Sequence, residues 1–170
     1  MPRNRDECRV NREEGRDMPE YLEATVDKFI FRVASDRLYS SDGVWAVWVE
    51  SQGSGQVRIG LTDYLQQLNG DVAFVHVKPV GTEVAAGDEV AELETIKANV
   101  SLCSPVSGRV VEVNPKLDLN PEVVNQEPYG KGWVAVLETT NWQSDRGKLL
   151  DPQAYLAAMR SQAEEELKSP

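Results

Sequence analysis

Two short runs with an apolar residue at every second position stand on either side of a single lysine. Asp88-Glu89-Val90-Ala91-Glu92-Leu93 comes before it and Asn99-Val100-Ser101-Leu102 after it. A two-residue period is that of half-buried strands. The short span between them predicts an antiparallel β-hairpin whose turn is Thr95-Ile96-Lys97-Ala98. Tight hairpins normally draw on Gly, Asn, Asp or Pro for positive φ or a preset bend, and this turn has none of them. A tip of Thr, Ile, Lys and Ala is poor turn chemistry, so those residues answer to another demand: an exposed Lys97 amine offered to a modifying enzyme. Taken alone, the hairpin is equally compatible with a solvated lysine at a strand end and Ile96 tucked under the sheet.

The totals exclude several classes. A chain of 170 residues, 41% of them apolar, has room for one cored domain with extensions. A net charge of −10 leaves no basic surface to displace counterions from nucleic acid or to hold an anionic membrane. No stretch approaches the ~18 apolar residues of a spanning helix. The N-terminus lacks the apolar run of a secretory signal and has no serine before Ser35, so a cytoplasmic protein is expected. Cys8 and Cys103 are too far apart for a disulfide framework or a metal-ligand motif. The one histidine, His76, falls in the alternating run Val72–Val77 and is expected on the solvent face of a strand. With no Cys–His or Ser–His arrangement, acid–base and nucleophilic machinery is missing. The chain reads as a non-catalytic component that enzymes act upon, with no catalytic residues and no metal.

Residues 1–17 hold five arginines and five acids with almost no apolar content, and disorder is expected there; Met18 offers an alternative start. Residues 18–37 form an N-terminal extension in which Val26–Val33 suits a strand or clamp. A β domain is expected over 38–142. Within it, Val44–Val49 and Gln56–Gly60 pair across Gly53-Ser54-Gly55. Thr62 then caps a short helix from Asp63 to Leu68, closed by a left-handed residue at Asn69-Gly70. An internal echo follows: Gly70–Val75 resembles Gly108–Val113, and Ala91–Thr95 resembles Ala135–Thr139. Two interlocked halves of a barrel-like sandwich, with the Lys97 hairpin between them, account for it. Over 149–168 a helix is expected to pack on the domain. Asp151 is its N-cap, Pro152 its first residue, and Tyr155, Leu156, Met159, Ala163 and Leu167 its apolar stripe.

From about Leu38 to Tyr155 the chain resembles the H protein of the glycine cleavage system. The shared words are Ile59-Gly60-Leu61-Thr62-Asp63-Tyr64, Val80-Gly81-Thr82-Glu83-Val84, Ala86-Gly87-Asp88-Glu89, Glu94-Thr95-Ile96-Lys97-Ala98 and Ser104-Pro105-Val106-Ser107-Gly108. Asn120-Pro121-Glu122-Val123-Val124-Asn125, Pro128-Tyr129-Gly130-Lys131-Gly132-Trp133 and Leu149-Leu150-Asp151 complete the set. The words around Lys97 are common to lipoyl domains, whereas the Thr62-Asp63-Tyr64 helix and the Asn120–Trp133 run mark the H-like branch. The resemblance implies a mainly β barrel-sandwich hybrid of lipoyl/biotinyl-carrier type, with a short internal helix and a C-terminal helix. It implies covalently bound lipoate on Lys97, with Glu94, Thr95, Ile96 and Ala98 recognised during lipoylation. The implied function is a carrier shuttling an aminomethyl group and reducing equivalents between partner enzymes. Those partners are a lipoate ligase or lipoyl transferase, glycine decarboxylase, aminomethyltransferase and dihydrolipoamide dehydrogenase.

The pattern departs at Gly43-Val44-Trp45, where H proteins carry His-Glu-Trp, and at Cys103, where an aromatic is common. An H-like carrier serving sulfur-compound oxidation or another redox pathway is the alternative. A biotinyl carrier, whose lysine usually sits between methionines, suits Ile96 and Ala98 less well; an unmodified interaction module is the remaining class. Cys103 reads either as a filler of the sheet interior or as a partner for the reduced arm.

Overall fold

The computed structural model describes residues 20–50 and 55–168. The charged tail at 1–17 and Met18 lie outside the described residues. The chain opens with a hairpin, β1 (Tyr21–Val26) and β2 (Phe29–Ala34), followed by β3 (Leu38–Tyr39), β4 (Val44–Glu50) and β5 (Gly55–Leu61). After helix α1 (Asp63–Asn69) come β6 (Val72–Val77), β7 (Glu83–Val84), β8 (Glu89–Thr95), β9 (Asn99–Cys103) and β10 (Gly108–Val113). Two short turns of helix, α2 (Lys116–Leu119) and α3 (Val123–Gln126), lead to β11 (Ala135–Thr139), α4 (Trp142–Arg146) and the long α5 (Pro152–Lys168).

Six strands form one sheet in the order β3-β4-β5-β11-β10-β7, and three form another, β6-β8-β9. Alternation decides most of what the strands bury, and in β8 the bulge between Glu89 and Ala91 lets Val90 and Leu93, three positions apart, both face inward. Val57, Ile59 and Leu61 of β5, Val90 and Leu93 of β8, Leu102 of β9 and Val110 of β10 meet in one core shared by both sheets. The mainly β sandwich expected from the sequence is therefore present, although the two sheets face each other without closing into a barrel.

The internal echo has a structural counterpart. β6 pairs with β8 and β10 with β11, both antiparallel. Each pair carries a bulge, between Val72 and Phe74 in one and between Val110 and Glu112 in the other, positions that correspond under the echo. The extra residue twists and bends each strand at the same point. Partner registers differ, however: Val72 faces Thr95, whereas Val110 faces Leu137 rather than Thr139. A two-residue slip keeps every side chain on its own face, so both halves serve one core. The halves interlock through β7, which pairs with β10, and β5, which pairs with β11.

Helix α1 starts where Thr62 places its hydroxyl under the Leu65 amide at 3.2 Å, as expected of an N-cap. Its end differs from expectation. Gly70 has φ +80° and ψ −162°, a glycine conformation outside the left-handed helical region, because the chain leaves the helix extended to enter β6.

The N-terminal extension folds as a hairpin turned at Asp27, whose φ is +57°. It contributes Ala24, Val26, Phe31 and Val33 to a second core, completed by Tyr39, Trp45, Tyr64, Tyr129 and α5. The Tyr39 and Tyr155 rings stack at 4.7 Å, and Arg37 lies 4.5 Å from the Trp45 ring and 5.4 Å from that of Tyr129. Asp151 caps α5 by accepting from the Ala154 amide at 2.7 Å. Tyr155, Met159 and Ala163 are buried as the stripe predicts, but Leu167 remains 46% exposed because the stripe overruns the surface that receives it. Much of that surface is the hairpin β1–β2. Among the described residues no helix is long and apolar enough to cross a membrane.

Candidate functional site

The hairpin β8–β9 turns through Ile96, Lys97 and Ala98. Thr95 supplies the turn chemistry that composition alone does not reveal. Its amide donates to the Ala98 carbonyl at 2.9 Å, its hydroxyl donates to the same carbonyl at 3.0 Å and accepts from the Ala98 amide at 3.1 Å. A threonine side chain thus replaces the glycine of an ordinary tight turn, and no residue of the tip needs positive φ. Ile96 is 88% exposed, which overturns the alternative in which it tucks under the sheet.

Lys97 is exposed and reaches across to the C-terminal end of α1. Its Nζ donates to the Leu68 carbonyl at 3.2 Å, one of the carbonyls a helix leaves unpaired at its end and the site where a cation is favoured. The lysine stem passes over Gly70, where an added Cβ would stand 3.8 Å from Lys97 Cε. The helix end is itself fixed from below. Asn125 donates to the Gly70 carbonyl at 2.9 Å and to Gln66 Oε1 at 3.0 Å, and its own oxygen accepts from the Val72 amide at 2.9 Å. This bracing by Asn125 was not drawn from the sequence; its position in the Asn120–Asn125 run was the available signal.

Glu94 lies on the outer face of β8 and meets His76 of β6, ring Nε2 to carboxylate 2.7 Å. His76 is exposed on a strand, as expected, but it is not alone: it holds the acid three residues before Lys97. Their contact is diagonal, because His76 sits opposite Glu92 and Phe74 opposite Glu94. Phe74, 58% exposed, stacks beside the imidazole. The structure therefore gathers Glu94, Thr95, Ile96, Lys97 and Ala98 at one tip and adds His76, Leu68 and Asn125 to it.

Cys103 ends β9, at the opposite end of the strand from the tip. Burial, reinforced by the carboxylates of Asp42, Glu89 and Asp88, raises its pKa. That keeps the thiol protonated and unreactive, which favours the filler role. Gly43, where histidine was expected by resemblance, has φ +94° and no room beyond Leu65 and Thr62 at 3.3 Å. An L-residue there would be strained in this backbone. Among the described residues no group of His, Cys, Asp and Glu is arranged to hold a metal.

Comparison with known proteins identifies the family. The sequence model described as "Glycine cleavage H-protein" matches residues 37–162. The glycine cleavage system H protein of Stenotrophomonas maltophilia is 41% identical over 67% of this chain and 86% of its own length. The probable glycine cleavage system H protein of Thermococcus kodakarensis is 39% identical over 77% and 95%. The crystal structure of a glycine cleavage system H protein from Mycobacterium marinum superposes with a TM-score of 0.64 at 33% identity, covering 74% of this chain and 97% of that one. The chain belongs to the glycine cleavage H-protein family, the lipoyl carriers of the glycine cleavage system.

Proposed function

We propose that Lys97 is the lipoyl attachment site, and that the chain carries lipoate between the enzymes of glycine cleavage. The observation that carries this reading is the Lys97 amine itself. It stands at the apex of a hairpin closed by Thr95, and among the described residues its hydrogen bond is to a backbone carbonyl rather than to a carboxylate. Such an amine is accessible to an acylating enzyme. The surroundings also suit the product: once acylated, the nitrogen keeps one N–H for the Leu68 carbonyl and loses a charge that no ion pair among the described residues requires. Glu94, positioned by His76, with Thr95, Ile96 and Ala98, is the surface a lipoate ligase or lipoyl transferase recognises.

When attached, lipoate supplies a ring disulfide able to carry an aminomethyl unit and two electrons; that chemistry is the cofactor's. The protein's part is presentation. A covalent tether delivers the group into successive active sites without a new diffusional search. Glycine decarboxylase, aminomethyltransferase and dihydrolipoamide dehydrogenase are the proposed partners. In this reading residues 38–142 form the carrier unit, 18–37 an extension to it, and 149–168 its buttress.

Intact-mass measurement of protein produced in a lipoate-proficient host tests the proposal. A lipoyl adduct, lost in Lys97→Arg, is expected, and a bare lysine refutes it. Lipoylated protein should then accept the one-carbon unit from glycine decarboxylase. Lipoylation without that acceptance would move the chain to the alternative redox pathways suggested by Gly43-Val44-Trp45.

A further inference from the structure

The two sheets differ in what covers their outer faces. In the six-stranded sheet, β4 sends Val44 and Ala46 to the first core and Trp45 to the second, so it is buried on both sides there. Among the described residues, strands β6, β8 and β9 contribute to the first core alone. Their outer face carries Phe74, His76, Glu92, Glu94, Asn99 and Ser101.

Phe74 is the anomaly on that face. The bulge between Val72 and Phe74 breaks the alternation, so Val72 and Val75 are both buried and Phe74 is turned outward at 58% exposure. Strict alternation from Val72 would have buried that ring. The internal echo offers a comparison within the same chain. The matching bulge in β10 lies between Val110 and Glu112, and the outward residue there is an acid, Glu112, which water solvates readily. Directly opposite Phe74 stands Glu94, so the ring has no apolar neighbour straight across the strands. Its company is the His76 imidazole, with centroids 6.2 Å apart. Folding gains little from such a ring.

We propose that Phe74 is a docking anchor for the enzyme that attaches lipoate to Lys97, received by an apolar pocket rimmed with basic side chains. This role presupposes lipoylation at Lys97. Register places it: Phe74 faces Glu94, which precedes Lys97 by three positions. Apolar groups then flank Glu94, Phe74 across the strands and the 88% exposed Ile96 toward the tip, so the uncovered face runs on to the amine that must be reached. Charge fixes the partner's character. The strands β6, β8 and β9 contain no lysine or arginine, while Glu92 and Glu94 both lie on the outer face. A complementary surface is therefore positive around the pocket that takes the ring. An aromatic anchor bordered by charge is the kind of group on which binding energy concentrates. The reaction served is amide formation. Lys97 Nζ attacks the carbonyl of a lipoyl adenylate, the N–C bond forms as the bond to the leaving phosphate breaks, and Nζ releases a proton.

Full-length chain from a lipoate-deficient host is incubated with a lipoate ligase, lipoate and ATP, and initial rates are read by mass against carrier concentration. Phe74→Thr keeps a strand-forming residue at an exposed position. It should raise the Michaelis constant for the carrier about tenfold, as loss of an aromatic anchor does, with the turnover number within about twofold of the parent. Phe74→Tyr should match the parent. In a His76→Ala background Phe74→Thr should cause the same loss, because the ring acts on the enzyme directly and not through the imidazole. An unchanged Michaelis constant in Phe74→Thr, a loss confined to the turnover number, or a loss that disappears with His76 overturns the inference. So does a Phe74→Thr protein that is lipoylated like the parent but accepts the one-carbon unit from glycine decarboxylase poorly, which would give the face to that enzyme. No lipoyl adduct on the native chain sinks the lipoylation reading, whereas a native chain and a Phe74→Thr chain lipoylated alike sink the anchor alone.

Discussion

Thr95→Val isolates what the threonine hydroxyl does for the Lys97 tip. Valine keeps the β-branched shape that suits the end of a strand and removes only the oxygen. Two hydrogen bonds to Ala98 are lost, at 3.0 and 3.1 Å, while the backbone bond from the Thr95 amide at 2.9 Å survives. Each bond contributes about 0.5–1.5 kcal/mol when sheltered. Both are open to solvent, where water competes for the freed groups, so their joint loss costs the closed turn about 1 kcal/mol. That is about a fivefold shift in the local opening equilibrium. Amide hydrogen exchange at Ala98 should accelerate by about that factor while the core strands stay unchanged. The specificity constant for lipoylation should fall by no more than the same factor. Thr95→Ser, which restores the oxygen, should return both. Unaltered exchange at Ala98 in Thr95→Val would show that the backbone alone shapes the tip.

Four further outcomes are expected. Glu94→Gln should slow lipoylation, and His76→Ala should slow it less while changing global stability by under about 1 kcal/mol, as for an exposed pair; equal lipoylation rates in both variants and the parent refute the role of the His76–Glu94 contact. Cys103→Ser should leave lipoylation and reduction of the arm unchanged, and native Cys103 should react with iodoacetamide more slowly than free cysteine at neutral pH because its pKa is raised; fast alkylation contradicts this. Gly60→Ala would place a Cβ 2.4–2.9 Å from three Trp45 ring atoms, and Trp45 is pinned by its bond to the Pro128 carbonyl, so urea unfolding should show a loss of about 1–3 kcal/mol. Finally, burial pushes the Tyr155 phenol up to about 12. The unfolded phenol near 10 ionises first, so this stabilisation is complete below pH 10 and disappears as pH rises through about 12. About 2–3 kcal/mol is at stake, and Tyr155→Phe should make alkaline unfolding shallower by one ionisation.

What the sequence revealed and what it concealed divide by range. The Lys97 hairpin, the Thr62 cap and the Asp151 cap depend on residues a few positions apart, and each appears where periodicity and side-chain chemistry put it. β1 escaped notice because its inward residues are the modest Leu22, Ala24 and Val26 and its turn uses Asp27 at φ +57° without glycine. The His76–Glu94 contact requires the register of β6 on β8, which the bulge after Val72 shifts, and no local signal sets that bulge. Asp145 sits in the polar run Ser144-Asp145-Arg146-Gly147-Lys148, which resembles a solvated loop. It is nevertheless buried, because its carboxylate accepts from the Ser107 amide at 2.7 Å, 38 positions away. The Lys97–Leu68 contact likewise joins a tip to a helix 29 residues earlier.

The packing of α5 on β1 and β2 fastens the two ends of the described chain to each other. Peeling back either end strips the aromatic and methionine side chains that seat the other. Digestion or mechanical pulling from one terminus should therefore release both as a unit. Trimming this polypeptide to the length of its shorter relatives from one side only would leave the opposite flank greasy and prone to clumping.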